Sequence, residues 1–266
     1  MLIHDLQSLK TIADYGIGVP LLSERATRVY EALKTHPVLG ELVADWLYSA
    51  EVPQILEEDL LRVHSSRYVQ DALHENQEAI VKKTYELDEE DNADCGRYNP
   101  DMATRPLNEL VDKALANVAG THLSSLLALE KGFSFFLGGG MHHAMSDQGR
   151  GFCLFNDIVI SARKLQAQGW AQKIWVIDVD AHRGDGTAEL CLGAKDILTL
   201  SIHMAEGWPL DSSPLDSNGN LKKCLYPGTV DIPIPAGGED CYLQGLSHGL
   251  GVLEAAAGGE RPDLAI

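Results

Sequence analysis

A chain of 266 residues, 45% of them hydrophobic, can bury one large core, so a single domain over residues 1–266 is the expectation. Its 39 Asp+Glu outnumber 21 Lys+Arg, for a formal net charge of -18, which argues against a phosphate-contacting nucleic-acid binder and favours a neutral or cationic substrate. The five cysteines (Cys95, Cys153, Cys191, Cys224 and Cys241) are scattered and form no C-x-x-C pair, so neither a disulfide framework nor a thiolate zinc cluster is expected. With no basic-then-apolar leader and no apolar run near the ~18 residues of a membrane span, the sequence reads as cytoplasmic.

Residues 1–19 have little periodicity and read as an irregular entry segment. An N-cap candidate at Ser23 followed by helical spacing predicts a helix over 23–33, and others follow at 38–48, 57–63 and 66–75. The amino-terminal third is thus predicted to be helical and to precede any strand. Residues 85–105 are rich in acidic and turn residues and read as a long loop, with Tyr98 and Asp101 solvated. Leu/Val/Ala spacing predicts a long helix over 107–129. Strands at 132–137, 174–180, 197–203, 231–235 and 263–266 then alternate with helices at 152–168, 187–192 and 240–257. Such alternation predicts a parallel sheet covered on both faces, with ligands beyond the carboxyl ends of its strands.

Four consecutive apolar residues, Ile174, Trp175, Val176 and Ile177, lead into Asp178, Asp180 and His182 at intervals of two. On an extended strand these three point to the same side, each step covering roughly 6.6 Å. Asp180 and His182 then form half of a zinc site, which needs three protein ligands plus water to be catalytic. The competing reading is a pair of turn-capping aspartates beside a satisfied interior histidine. Earlier, Gly138, Gly139 and Gly140 precede Met141 and the tandem His142 and His143. Neighbouring residues on a regular strand face opposite ways, so both histidines serve one site only if the backbone leaves β geometry, which glycines permit. A histidine pair there can supply a base for water and an acid for a leaving amine. Here the competing reading is a glycine-rich loop with exposed histidines.

Taken together, Gly138-Gly139-Gly140-Met141-His142-His143-Ala144, then Gly151-Phe152-Cys153-Leu154-Phe155-Asn156-Asp157, then Asp178-Val179-Asp180-Ala181-His182-Arg183-Gly184-Asp185-Gly186, resemble the histone deacetylase superfamily of arginase-like zinc amidohydrolases, in a bacterial or class IV form. Ser201-Ile202-His203 and the run from Asp231 to Pro235 fit downstream. Pro20 with Arg25, and His64-Ser65-Ser66-Arg67-Tyr68-Val69, fit its amino-terminal signature more loosely. The resemblance implies an α/β fold: an arginase/deacetylase-like three-layer sandwich with a central parallel sheet, C-terminally incomplete. It makes Asp180 and His182 zinc ligands, and His142 and His143 the general base and its acid-acting or electrostatic partner, oriented by Asp178 and Asp185 respectively. It also places Gly151, Phe152 and Trp208 along an acyl-lysine channel, and a monovalent cation such as K+ at Asp178, Asp180, His182, Ser201 and Ile202.

Arg183 stands where many members of the superfamily carry a second histidine and is taken as a subgroup marker. The third zinc ligand, an aspartate expected roughly six residues past Ile266, does not fall within the 266 residues, nor do the glycine-rich loop and tyrosine that polarise the substrate carbonyl. The expectation is therefore the amino-terminal part of a longer zinc-dependent deacetylase. Its substrate would be acetyl-lysine or an acetylated small amine, with no nucleic-acid or membrane partner. Two other readings stay open: a non-catalytic relative that binds acyl-lysine or metal, and an arginase-type ureohydrolase with two manganese ions.

Overall fold

The strand Ile174–Asp178 sends Ile174 and Val176 to one face, among Ile158, Val159, Ala162 and Leu165, and Trp175 and Ile177 to the other, beside Leu200, Val230 and Leu253. A strand apolar on both faces must be covered on both, and that requirement sets a three-layer architecture. The computed structural model describes residues 1–4, 11–19, 25–88, 96–211 and 213–266. In chain order its elements are β1 (Leu2–Ile3), α1 (Arg25–Thr35), α2 (Val43–Trp46), α3 (Glu57–Leu61), α4 (Ser66–Gln70), α5 (Gln77–Tyr85), α6 (Glu109–Lys131) and β2 (Phe135–Phe136). There follow α7 (Asp157–Gln168), β3 (Ile174–Asp178), α8 (Asp185–Leu190), β4 (Ile197–Met204), β5 (Val230–Ile234), α9 (Tyr242–Ala256) and β6 (Leu264–Ala265). The main sheet is parallel throughout, in the order β5-β4-β3-β6. One face is covered by α7, backed by α6, and the other by α9. A second core gathers Leu60, Val69, Val81, Leu110 and Val118 from α3 to α6 around Leu154 and Phe155.

Local signals explain the long helices. Buried Leu110, Val111, Ala114, Val118, Leu123 and Leu127 recur at helical spacing along α6, which ends at left-handed Gly132. The buried side chain of Asn156 caps α7 by accepting from Val159 N at 3.0 Å, and Gly169 terminates it.

Several predicted boundaries move. The entry segment contains β1, because Leu2 and Ile3 pair in parallel with Phe135 and Phe136, so a strand precedes the first helix. The predicted strand over 132–137 shrinks to β2, since β1 offers only two residues to pair with. The helix expected over 38–48 is a short 3-10 turn followed by α2, with Val38 and Leu42 exposed and no apolar face to hold a longer one. A π-helical turn, Asp71–Glu75, continues α4, and α5 lies within a stretch that no expectation covered. The helix predicted over 152–168 starts at Asp157, because Gly151 and Phe152 hold positive φ. Within 85–105, Tyr98 forms an antiparallel bridge to Ile17 and is half-buried, so it is not solvated, whereas Asp101 is exposed. Pro20, Ser23, Cys95 and the loop over 89–95 lie outside the described residues. Cys153, Cys191, Cys224 and Cys241 are free thiols. Among the described residues no helix is long and apolar enough to cross a membrane.

His64 ties the second core to the loop ahead of α7. Asn156 N donates to its Nε2 at 3.2 Å, so its Nδ1 carries the proton and donates to Met145 O at 2.8 Å. Both nitrogens are used by the neutral ring, and burial pushes its pKa down to about 4 against the smaller upward pull of the Met145 carbonyl and Glu189. With the folded pKa below that of the unfolded chain, the unfolded state takes the proton first. His64's contribution is complete above about pH 6.5 and is lost as pH falls toward 4. Urea unfolding across that window should show a loss of about 3 kcal/mol from this residue, and His64→Asn should flatten the slope. Equal slopes for the two proteins would refute the assignment.

Candidate active site

The glycine turn after β2 is bent onto a buried carboxylate. Asp157 accepts Gly140 N at 3.0 Å, Met141 N at 2.7 Å and the Thr121 hydroxyl at 2.5 Å. Gly139 has φ 71°, and a side chain there would strike both Asp157 and Thr121. The turn brings His142 and His143 side by side, with ring centroids 3.9 Å apart.

Each ring is fixed by its own carboxylate. Nδ1 of His142 donates to Asp178, the last residue of β3, at 2.6 Å, and Nδ1 of His143 donates to Asp185, the first residue of α8, at 2.7 Å. This geometry sets both tautomers and leaves each Nε2 outside the dyads; that of His142 lies 3.9 Å from Asp180. The two rings differ in basicity. Burial opposes the charged form of His142, but its hydrogen bond to Asp178 and the charges of Asp178, Asp180 and Asp185 outweigh it and raise the pKa. Burial lowers the pKa of His143, and the charges of His142 and His182 add to that, so Asp185 does not restore it. The surroundings thus favour the charged form more at His142 than at His143.

Strand β3 ends at Asp178, so Asp180 and His182 do not continue it, and their convergence comes from the following loop. His182 N donates to Asp180 Oδ1 at 2.8 Å, which folds the carboxylate back to within 3.3 Å of His182 Nδ1. Their side chains are 54% and 46% exposed, so both donors remain accessible. Burial tends to raise the pKa of Asp180, yet the His182 N–H and the three nearby histidines hold it lowered. An ionised carboxylate beside an imidazole suits zinc. The pair offers two donors, and among the described residues no group of three His, Cys, Asp or Glu side chains could hold a metal ion.

The remaining expected residues surround this centre. Asp178 stands in register with Ser201 across β3 and β4, with Ile202 next to it, and Ser201 Oγ lies 3.1 Å from His203 Nδ1. Gly151 (φ 54°) and Phe152 (φ 66°) form a tight turn. A Cβ on Gly151 would lie 2.5 Å from the Trp208 ring and 2.7 Å from that of His143, so only glycine fits between them. Trp208 stands edge-on to His143 at 4.5 Å and to His182 at 5.7 Å. Below the pair, a groove of about 800 Å³ runs from Met141 and His142 past Arg25 to Leu264 and Ile266.

Sequence reasoning assigned no role to Asp157 or Arg150. The available signal for Asp157 was a carboxylate directly after the N-cap asparagine; for Arg150 it was a lone cation between two glycines. Arg183, taken as a subgroup marker, is buried: Nε and Nη2 grip Asp231 at 3.1 and 2.9 Å, while Nη1 and Nη2 reach the carbonyls of Cys224 and Tyr226.

A parallel three-layer domain with carboxylate-bound imidazoles beyond its strand ends defines the class, an arginase/deacetylase-like α/β fold. The chain belongs to the histone deacetylase family, whose model, described as "Histone deacetylase domain", matches residues 19–254. It is 27% identical over 198 residues to a histone deacetylase-like amidohydrolase of Pseudomonas aeruginosa, covering 74% of this chain and 48% of that protein. It is 34% identical over 156 residues to the acetoin utilization protein AcuC of Staphylococcus aureus, covering 57% and 37%. An uncharacterized protein of Picosynechococcus is 36% identical over 156 residues, covering 58% and 47%. The crystal structure of the HDA15 HD domain superposes with a TM-score of 0.63 at 20% identity, covering 100% of this chain and 72% of that one. The matched region spans about half or less of the length of these curated relatives.

Histidine NMR titration of the metal-free chain should give His142 a midpoint above 6.5 and His143 one below it. Asp178→Asn should bring the His142 midpoint down. Equal midpoints, or the reverse order, would contradict the assigned charge asymmetry.

Proposed function

We propose that this chain is the amino-terminal part of a zinc-dependent amidohydrolase that releases acetate from acetyl-lysine or an acetylated small amine. The observation that carries the reading is the pair of adjacent imidazoles, each bonded through Nδ1 to its own carboxylate, half-buried Asp178 and fully buried Asp185, beside the accessible Asp180 and His182. Asp180 and His182 would hold the zinc, with a third ligand and a carbonyl-polarising tyrosine supplied by the remainder of the parent protein; the greater length of the relatives supports that division. When bound, zinc supplies Lewis acidity that polarises the amide carbonyl and acidifies water.

The apolar stem of the substrate lies against Gly151, Phe152 and Trp208, with the acyl carbon beside the histidine pair. His143, the less basic ring, takes the proton of the attacking water at Nε2, and Asp185 stabilises the resulting charge through Nδ1. Water oxygen joins the acyl carbon, the C–N bond breaks, and His143 returns its proton to the departing amine. His142, held by Asp178 in surroundings that favour its charged form, contributes positive charge beside the developing oxyanion. A monovalent cation at Asp178, Asp180, His182, Ser201 and Ile202, and a cytoplasmic location, belong to the same proposal. A non-hydrolytic acyl-amine-binding protein is the second reading, favoured by the two-donor set within the described residues.

The test is the open reading frame past the codon for Ile266, followed by assay of its zinc-loaded product on acetyl-lysine peptides and N-acetylated amines. Acetate release that drops about 10²–10⁴-fold in His143→Ala, with a smaller loss in His142→Ala, is the expected result. Tight substrate binding without acetate release would establish the second reading instead. Isothermal titration of these 266 residues with zinc should show weak binding that disappears in Asp180→Asn; binding unaffected by that change would remove Asp180 from the ligand set.

A further inference from the structure

Arg150 occupies a position that no step above uses. It precedes the Gly151–Phe152 turn, and its backbone closes that turn on Cys153, with N–H···O bonds of 3.1 Å and 2.9 Å in the two directions. The turn that forms the channel wall therefore also aims the Arg150 side chain. Nη1 donates to Asp185 Oδ2 at 2.8 Å, while Oδ1 of the same carboxylate holds His143 at 2.7 Å and Gly186 N at 3.0 Å. Asp185 is 0% exposed, so its charge has no water to meet it. Among the described residues, Arg150 and His143 are the cationic or imidazole side chains paired with Asp185, and of the two Arg150 carries the permanent charge.

The guanidinium makes a second contact, over the Trp208 ring. Its Cζ lies 4.9 Å from the centroid of the Trp208 ring, whose edge meets His143. Arg150, Asp185, His143 and Trp208 thus close a circuit of contacts. A permanently charged guanidinium with several donors suits this double contact, bonding a carboxylate while its cationic centre lies over an indole. Arg97 faces the other aromatic wall, Phe152, at 5.8 Å, but its ion pair is with Glu86, which the described contacts do not connect to the histidine pair.

We infer that Arg150 is a positioning and specificity residue: through Asp185 it fixes the orientation of His143, and through Trp208 it fixes the wall along which an unbranched amine stem lies. This inference rests on the deacetylase reading for its kinetic consequences, but its contacts exist independently of turnover. Stem binding and proton transfer are then coupled through one side chain, so that disturbing the wall also disturbs the base.

In the parent enzyme, Arg150→Gln should lower kcat about 10–100-fold. Arg150→Lys, which keeps the charge but not the planar stack, should retain kcat within about threefold and raise KM about three- to tenfold. Millimolar guanidinium should restore activity to Arg150→Ala. Two readouts on this chain need no turnover: the low-field NMR signal of His143 Nδ1–H should shift in Arg150→Gln and return in Arg150→Lys, and acrylamide quenching of Trp208, isolated against Trp208→Phe, should rise in both variants. Thermal melting of each variant separates these effects from loss of fold. Unchanged His143 signal and unchanged quenching in a folded Arg150→Gln would overturn the inference. An inactive parent in which both signals move as described would overturn the deacetylase reading and leave the positioning role standing.

Discussion

A carboxylate sealed from water at the start of α7 governs the site around it. Asp157 is fully buried, and its ionised form is opposed by desolvation, which raises its pKa, and supported by the hydroxyl of Thr121 and the N–H groups of Met141 and Gly140. Withdrawing any one donor leaves a buried charge short of a partner, a loss worth about 1–3 kcal/mol or more. The glycine turn is accordingly held by electrostatics, since it has almost no side chains of its own to pack. Two sequence neighbours, which β geometry would send to opposite faces, emerge on one side because of that hold. Thr121 comes from α6 and Asp157 from α7, so the packing of these two helices reaches the histidine pair through a single carboxylate.

The two carboxylate–imidazole dyads have the same connectivity and different surroundings. His142 faces Asp178 at the end of β3 and also feels Asp180 and Asp185, and this accumulation of negative charge overcomes its burial. His143 has one close carboxylate, whose second oxygen is already bound to Arg150. Its neighbours His142 and His182 push its pKa the other way. The opposite directions of the two shifts follow from where carboxylates fall along β3 and α8, without any difference in the rings themselves. Paired groups whose surroundings push their pKa values apart are suited to separate acid and base roles.

Much of the frame was legible in the sequence. The apolar run from Ile174 to Ile177 marked a buried strand, and Ile197 to His203 and Tyr242 to Ala256 lie within predicted elements, because burial on two faces leaves an unbroken apolar signature. The amino-terminal region was harder to read. β1 is two residues long and exists through pairing with β2, some 130 positions later, a contact that no local pattern announces. At the site, intervals of two suggested that Asp178, Asp180 and His182 share one face of a strand, whereas the strand stops at Asp178 and the loop brings the latter two together by hydrogen bonding. Asp180 and His182 do come close together, but through the loop and not along a strand face. Arg150 and Asp157 escaped notice because their importance lies in contacts with Asp185, Trp208, Gly140 and Met141, which only the folded chain brings close.

The loop carrying Asp180 and His182 combines exposed donors with a fixed backbone. On its amino side, Asp178 accepts Asp180 N at 3.0 Å and Asp180 accepts His182 N at 2.8 Å, so each carboxylate secures the residue two places on. On its carboxyl side, Arg183 is buried and spends its guanidinium on Asp231 and two carbonyls, which ties the residue after His182 to β5 and the segment before it. Gly184 then passes so close to Asp178 that any side chain would strike its carboxylate. A loop anchored on both sides of His182 cannot relax to bury the imidazole or to swing Asp180 away. Its two donors are thereby kept near each other in solvent, and the ordering entropy that a flexible loop would lose on binding a cation has largely been met during folding. Arg183 thus fixes the chain beside His182 through Asp231 and the carbonyls of Cys224 and Tyr226.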